Sequence, residues 1–222
     1  MSHFVKICCI KTIAEAKLAI DAGASALGLV SKMPSGPGVI SDEAIAEITA
    51  SVPRHVETFL LTKRCDAESI IAQHRQCKTS ALQLVDTVSP LVLQALRRAI
   101  PHVKLVQVIR VAGVESITNA VATAADVDAI LLDSGNTSLT TKELGGTGRT
   151  HDWRVSDAIR RSVSVPIFLA GGLSSQNVRA AIRAVQPYGV DLCSGVRTDD
   201  KLDAMKLEAF FRSLSPENTS ST

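Results

Sequence analysis

Eight times along this chain a short apolar run of strand period gives way to a stretch of helical period, and no other feature narrows the available folds as much. The strand-like runs fall near 4–10, 26–30, 56–61, 81–85, 104–110, 128–132, 165–170 and 189–193. Between them lie amphipathic stretches such as Ile13-Ala14-Glu15-Ala16-Lys17-Leu18-Ala19-Ile20 and Val178-Arg179-Ala180-Ala181-Ile182-Arg183, whose apolar residues recur at three- and four-residue steps. Helix-start chemistry stands at Ser41 before Asp42-Glu43, at Ser89 before Pro90 and at Ser174 before Ser175-Gln176-Asn177. Gly23 stands where the first helix should end. Strand-helix units of roughly 26–28 residues, joined by right-handed parallel crossovers, close most economically into a barrel. The fold expected is α/β, a single (β/α)8 TIM barrel over residues 1–214, with 215–222 a polar tail expected to be disordered. A doubly wound open sheet is the competitor, but it requires a Gly-x-Gly-x-x-Gly turn after the first strand, and Cys8-Cys9-Ile10-Lys11 stands there instead.

Charge and cysteine usage exclude several classes of function. Against 24 basic residues stand 22 acidic ones, with no long run of either sign, so neither a nucleic-acid partner nor a membrane surface is expected. The first strand follows the N-terminus with no secretory leader, and no window is long and apolar enough to span a bilayer. The five cysteines, Cys8, Cys9, Cys65, Cys77 and Cys193, show no metal-site spacing and read as reduced thiols of a cytoplasmic protein.

In a (β/α)8 barrel, chemistry comes from strand ends and the loops that follow them, and here three places qualify. In Val5-Lys6-Ile7-Cys8-Cys9 strand alternation puts Lys6 and Cys8 on one face and Ile7 and Cys9 on the other. Lys6 one pleat below Cys8 would favour a thiolate base; a cysteine packed as a small hydrophobe is the competing reading. Asp133 ends the sixth run, where burial would raise its pKa and suit it to proton donation; a turn aspartate before Ser134-Gly135-Asn136 is the alternative. The third place is a pair of turns after runs seven and eight. Gly171-Gly172 and Ser194-Gly195 supply slim backbone of the kind that holds phosphate; ordinary tight turns are the competing reading. A further glycine-rich stretch, Gly145-Gly146-Thr147-Gly148-Arg149-Thr150-His151, reads as a flap carrying anion contacts or as a solvated loop.

These stretches, taken in order with Asp152-Trp153, Phe168-Leu169-Ala170-Gly171-Gly172-Leu173 and Gly189-Val190-Asp191-Leu192-Cys193-Ser194-Gly195-Val196, resemble the phosphoribosylanthranilate isomerase family of tryptophan biosynthesis. The resemblance runs from Val5 to about Phe211. It implies an Amadori rearrangement of a small phosphorylated sugar-amine, without metal or organic cofactor, in a monomer or homodimer. In that scheme Asp133 is the general acid that opens the furanose ring and Cys8 the general base at the sugar C2. Lys6 supports the base, Gly171, Gly172, Ser194 and Gly195 bind the phosphate, and Arg110, Gly146 and Arg149 contact the substrate.

The chain departs from the family pattern on the side that meets the aglycone. Cys9 replaces the glycine of Cys-Gly, and Pro37 or Gly38 stands where the Ser-Pro-Arg arginine meets the anthranilate carboxylate. Val85-Asp86 replaces His-Gly after Gln83-Leu84, and Arg197 replaces the glutamate of Ser-Gly-Val-Glu. Three readings follow: an isomerase whose carboxylate contact has moved to Arg110 or Arg149, a divergent paralogue acting on another phosphosugar, and a non-catalytic phosphate-binding barrel.

Overall fold

The computed structural model describes residues 3–34, 36–134 and 152–215. Eight parallel strands form one closed barrel in chain order: β1 (Phe4–Ile7), β2 (Ala26–Val30), β3 (Glu57–Thr62), β4 (Ala81–Leu84), β5 (Lys104–Arg110), β6 (Ala129–Asp133), β7 (Ile167–Leu169) and β8 (Gly189–Leu192). Eight helices cover it: α1 (Ile13–Asp21), α2 (Asp42–Ser51), α3 (Ala67–Cys77), α4 (Pro90–Ala99), α5 (Glu115–Ala124), α6 (Trp153–Ser162), α7 (Val178–Val185) and α8 (Ala204–Leu214). The expected (β/α)8 architecture is therefore the one found.

Local chemistry accounts for most element boundaries. Ser41 and Ser89 cap α2 and α4, each hydroxyl accepting a backbone N–H of the first turn. Thr12, Asp66, Asp152 and Asp203 do the same for α1, α3, α6 and α8. Gly23 follows α1 with φ of 110°, a conformation that side chains resist.

Two boundaries differ from expectation. Helix α7 starts at Val178, not beside Ser174, because Ser174 lies in a preceding turn where its N–H donates to Asn177 Oδ1 at 2.9 Å. Strand β1 stops at Ile7, not near residue 10, because Cys9 adopts φ of 64° and turns the chain off the sheet.

Strand alternation divides the core into two layers. Val5, Ile7, Leu27, Leu29, Leu60, Leu82, Leu84, Leu105, Ile130, Leu132, Val190 and Leu192 face outward and pack under the helices. Ala26, Val30, Phe59, Leu61, Ala81, Val106, Val108, Ala129, Leu131 and Phe168 fill the interior, smaller and fewer than the outer set. Closure pairs the first strand with the last, placing Lys6 opposite Asp191.

Candidate active site

The barrel interior is built in layers that become more polar toward the C-terminal ends of the strands. At the base Phe4, Phe59, Phe168 and Tyr188 stack edge-on or tilted, with ring centroids 5.4–5.9 Å apart. Above them lies Lys6, fully buried, with Nζ 2.9 Å from Asp191 Oδ1 and 5.4 Å from the centroid of the Phe59 ring. Burial works against its charge, but Asp191 and the neighbouring thiols outweigh it and hold Lys6 above the ordinary lysine range. An ion pair this dry is a weak contributor to stability, so its presence points to a task.

Cys8 stands one pleat above Lys6. Its N–H still donates to Leu192 O at 2.7 Å, continuing the β1–β8 ladder past the end of the strand. A hydrogen bond with the Cys9 thiol lowers the pKa of Cys8; burial opposes this, and the positive charge of Lys6 adds to the lowering. The space these two side chains occupy is cleared by Gly28 on β2. A Cβ there would lie 2.7 Å from Cys8 Sγ and 2.9 Å from Lys6 Nζ.

Asp133 reaches the same pocket from the end of β6. Burial, helped by the charge of Asp191, raises its pKa; the Ser134 N–H, which donates to Oδ1 at 2.7 Å, pulls the other way. A thiol pushed toward thiolate thus shares a pocket with a carboxyl pushed toward the protonated form. That is the arrangement general acid–base chemistry requires.

The remaining walls divide by chemistry. Gly171, Gly172 and Ser194 line the pocket on the β7 and β8 side, where Gly171 and Gly172 have φ of 88° and 62°. Gly195 lies beneath them and joins the two loops: a Cβ at that position would fall 2.0 Å from Leu173 O. On the opposite side Val30, Met33, Leu61, Val85 and Val108 form an apolar wall into which Gln83 and Arg110 project. Among the described residues the buried Arg110 Nη2 donates no hydrogen bond, although Asp86 Oδ1 lies 3.9 Å away, and Gln83 Oε1 accepts none.

The structure brings Cys8, Arg110, Asp133, Gly171, Gly172 and Ser194 around one cavity; Lys6 lies behind the wall, paired with the lining residue Asp191, and Gly195, expected beside Ser194, does not line it. Gly146, Arg149 and His151 lie outside the described residues. Cys9 is a correction to strand alternation. Alternation predicts it on the face opposite Cys8, but its positive φ swings it into the same pocket, where the Cys193 thiol meets its sulfur at 2.7 Å. Sequence reasoning assigned no role to Asp191, Gly28 or Gln83. Strand parity was the available signal, since each faces inward on its strand in step with Lys6 and Cys8. Among the described residues no group of His, Cys, Asp or Glu side chains is arranged to hold a metal ion, and no helix is long and apolar enough to cross a membrane.

Residues 5–213 match the family model for N-(5′-phosphoribosyl)anthranilate (PRA) isomerase. An N-(5′-phosphoribosyl)anthranilate isomerase of Methanocella arvoryzae is 34% identical over 203 residues, covering 91% of this chain and 93% of the relative. The crystal structure of the phosphoribosyl anthranilate isomerase from Thermotoga maritima superposes with a TM-score of 0.81 at 27% identity, covering 96% of this chain and 98% of that one. A phosphoribosyl anthranilate isomerase in complex with reduced 1-(o-carboxyphenylamino)-1-deoxyribulose 5-phosphate superposes with a TM-score of 0.79 at 25% identity, covering 96% and 98% of the two chains. The chain belongs to the N-(5′-phosphoribosyl)anthranilate isomerase family.

Proposed function

We propose that this protein isomerises N-(5-phosphoribosyl)anthranilate to 1-(o-carboxyphenylamino)-1-deoxyribulose 5-phosphate by general acid–base catalysis. The observation that carries this reading is that Cys8, one pleat above the buried Lys6, and Asp133 line one pocket, in surroundings that favour the thiolate of the first and the protonated carboxyl of the second. Asp133 gives its proton to the furanose ring oxygen, the C1–O bond breaks, and the nitrogen lone pair forms a cationic imine. That cation acidifies C2, from which the Cys8 thiolate takes the proton, and the resulting enolamine tautomerises to the ketone. Lys6 holds the thiolate and is itself held by Asp191.

The backbone at Gly171, Gly172 and Ser194 receives the phosphate, with Gly195 keeping the two loops in contact. Arg110 is assigned to the anthranilate carboxylate, since a buried guanidinium nitrogen without a hydrogen bond among the described residues has donor capacity to offer there. Gln83 Oε1 is assigned to a sugar hydroxyl on the same grounds.

The test is an isomerase assay on purified protein. C8S and D133N should each lower kcat by roughly 10²- to 10⁴-fold. R110M should raise KM for the anthranilate adduct by about 10- to 100-fold and leave the aniline adduct, which lacks the carboxylate, little changed. The pH profile of kcat/KM should be bell-shaped, because the base must have lost its proton and the acid must have kept its own. A wild type without turnover on the anthranilate adduct removes this substrate assignment. Undiminished turnover in C8S and D133N removes the proposed roles.

A further inference from the structure

Arg197 lies outside the pocket wall, yet it is the most heavily committed cation near it. Its side chain is 5% exposed. Nη1 and Nη2 each donate to a Glu15 carboxylate oxygen at 3.1 Å, Nη1 also donates to Asp200 O at 3.2 Å, and Nη2 donates to the carbonyl oxygen of Cys9. Glu15 in turn accepts the N–H of Lys11 at 2.9 Å and of Leu202 at 3.0 Å, and Lys11 Nζ meets Asp200 Oδ2 at 2.7 Å. The loop after β1 and the first turn of α1 are thus fastened to the segment after β8 at three points, Cys9, Lys11 and Glu15.

We propose that Arg197 is a positioning residue for the Cys8 base, acting through the carbonyl of Cys9. The inference rests on the catalytic role given to Cys8 above. Cys9 stands at φ of 64°, where a side-chain-bearing residue is disfavoured, so something must hold it there. Two contacts do so. Gly38 leaves the room, since a Cβ on it would lie 2.5 Å from Cys9 Cβ and 2.7 Å from Cys9 Cα. Arg197 supplies the attraction, a charge-assisted hydrogen bond to a buried carbonyl.

Cys8 is thereby held on both sides by the chain around β8: its own N–H is bonded to Leu192 O, and the carbonyl of the following residue, Cys9, is bonded to Arg197. With the Ile7–Cys8 and Cys9–Ile10 peptides both held, the Cys8–Cys9 peptide between them is confined, and with it the Cα–Cβ vector of Cys8 and the direction in which the sulfur faces the substrate. Released from Arg197, Cys9 would relax toward negative φ and rotate the peptide that carries the base.

The experiment is a double-substitution cycle on the full-length protein with R197M, C9G and R197M/C9G. Glycine reaches positive φ without strain, so it should replace the restraint that Arg197 supplies. R197M should lower kcat by roughly 10- to 100-fold, with KM changed by less than about threefold, as expected for a misplaced catalytic group. Adding C9G to R197M should recover about fivefold or more of kcat relative to what C9G does alone. A second readout needs no substrate: alkylation of Cys8 by iodoacetamide, followed by peptide-resolved mass spectrometry, should slow in R197M and recover in R197M/C9G, each compared with its Arg197 counterpart. Loss of kcat without recovery by C9G, loss confined to KM, or an unchanged alkylation rate overturns the inference. If R197M does not fold, R197K and R197K/C9G make the same comparison, because lysine keeps a charged donor and loses the fork that engages Glu15. If the wild type does not turn over the anthranilate adduct, the substrate assignment fails and the alkylation arm alone decides the role of Arg197.

Discussion

At Asp133 the proposed role of proton donor and the demand for a stable fold pull in opposite directions. Burial raises its pKa from an ordinary value of 3.8, which means that the ionised form is disfavoured more in the folded than in the unfolded chain. The sign follows directly: below the unfolded value the group costs nothing through ionisation, and as the pH rises above it the unfolded chain gains by losing a proton that the folded chain keeps. D133N should therefore raise the thermal midpoint at pH 7 by about 1–4 °C while removing activity, with the gain shrinking toward pH 4, as calorimetry across that range would show. A midpoint unchanged or lowered at pH 7 would contradict the direction assigned to this carboxyl. At the same scale, periodicity set Cys8 and Asp133 at or near strand ends, and both line the pocket; the roles given to them came from the family resemblance. Periodicity misplaced Cys9 because alternation holds only while φ stays negative, and the residue type alone does not announce a turn into the left-handed region.

Between elements, the loop from β1 to α1 and the segment from β8 to α8 behave as one unit with Glu15 at its centre. Burial works against the Glu15 charge, but the Arg197 hydrogen bonds and the N–H groups of Leu202 and Lys11 outweigh it, so its pKa is lowered from the usual 4.5. A carboxylate with a depressed folded pKa contributes stability that is complete above the unfolded value and lost as the pH falls through the folded one. E15Q should be less stable than wild type at pH 7 by about 1–3 kcal/mol in urea titrations, and it should lose less stability than wild type between pH 5 and pH 3. Parallel acid dependence in the two proteins would remove Glu15 from this role. The helix caps show the other side of legibility. Ser41 and Ser89 were readable because the cap and the first turn are adjacent in sequence, and Ser174 misled because the turn after Gly171-Gly172 uses the same residue types before the helix begins.

For the whole molecule, the decisive event is the meeting of the two ends of the chain. Strand β1 pairs with β8, and α8 packs beside the end of α1, where a Cβ on Gly23 would touch the Phe211 ring at 3.5 Å. Phe210, fully buried and edge-on to Phe211 with centroids 5.6 Å apart, anchors α8 in the outer core. F210A should cost about 3–5 kcal/mol in equilibrium unfolding, as expected for a large ring removed from close packing. A loss under about 1 kcal/mol would mean that α8 is not part of the cooperative unit that closes the barrel. The sequence by itself determined the eight strand-helix periods, the inward parity of Lys6 and Cys8 and the glycines of the last two loops, because periodicity, capping and turn chemistry act between residues a few positions apart. Only the tertiary structure decided that Lys6 meets Asp191 across 185 residues, that Gly28 clears the space for Cys8, and that Arg197 bonds the carbonyl of Cys9 beside it. Those contacts depend on the register with which the barrel closes, and that register is set by all eight strands together.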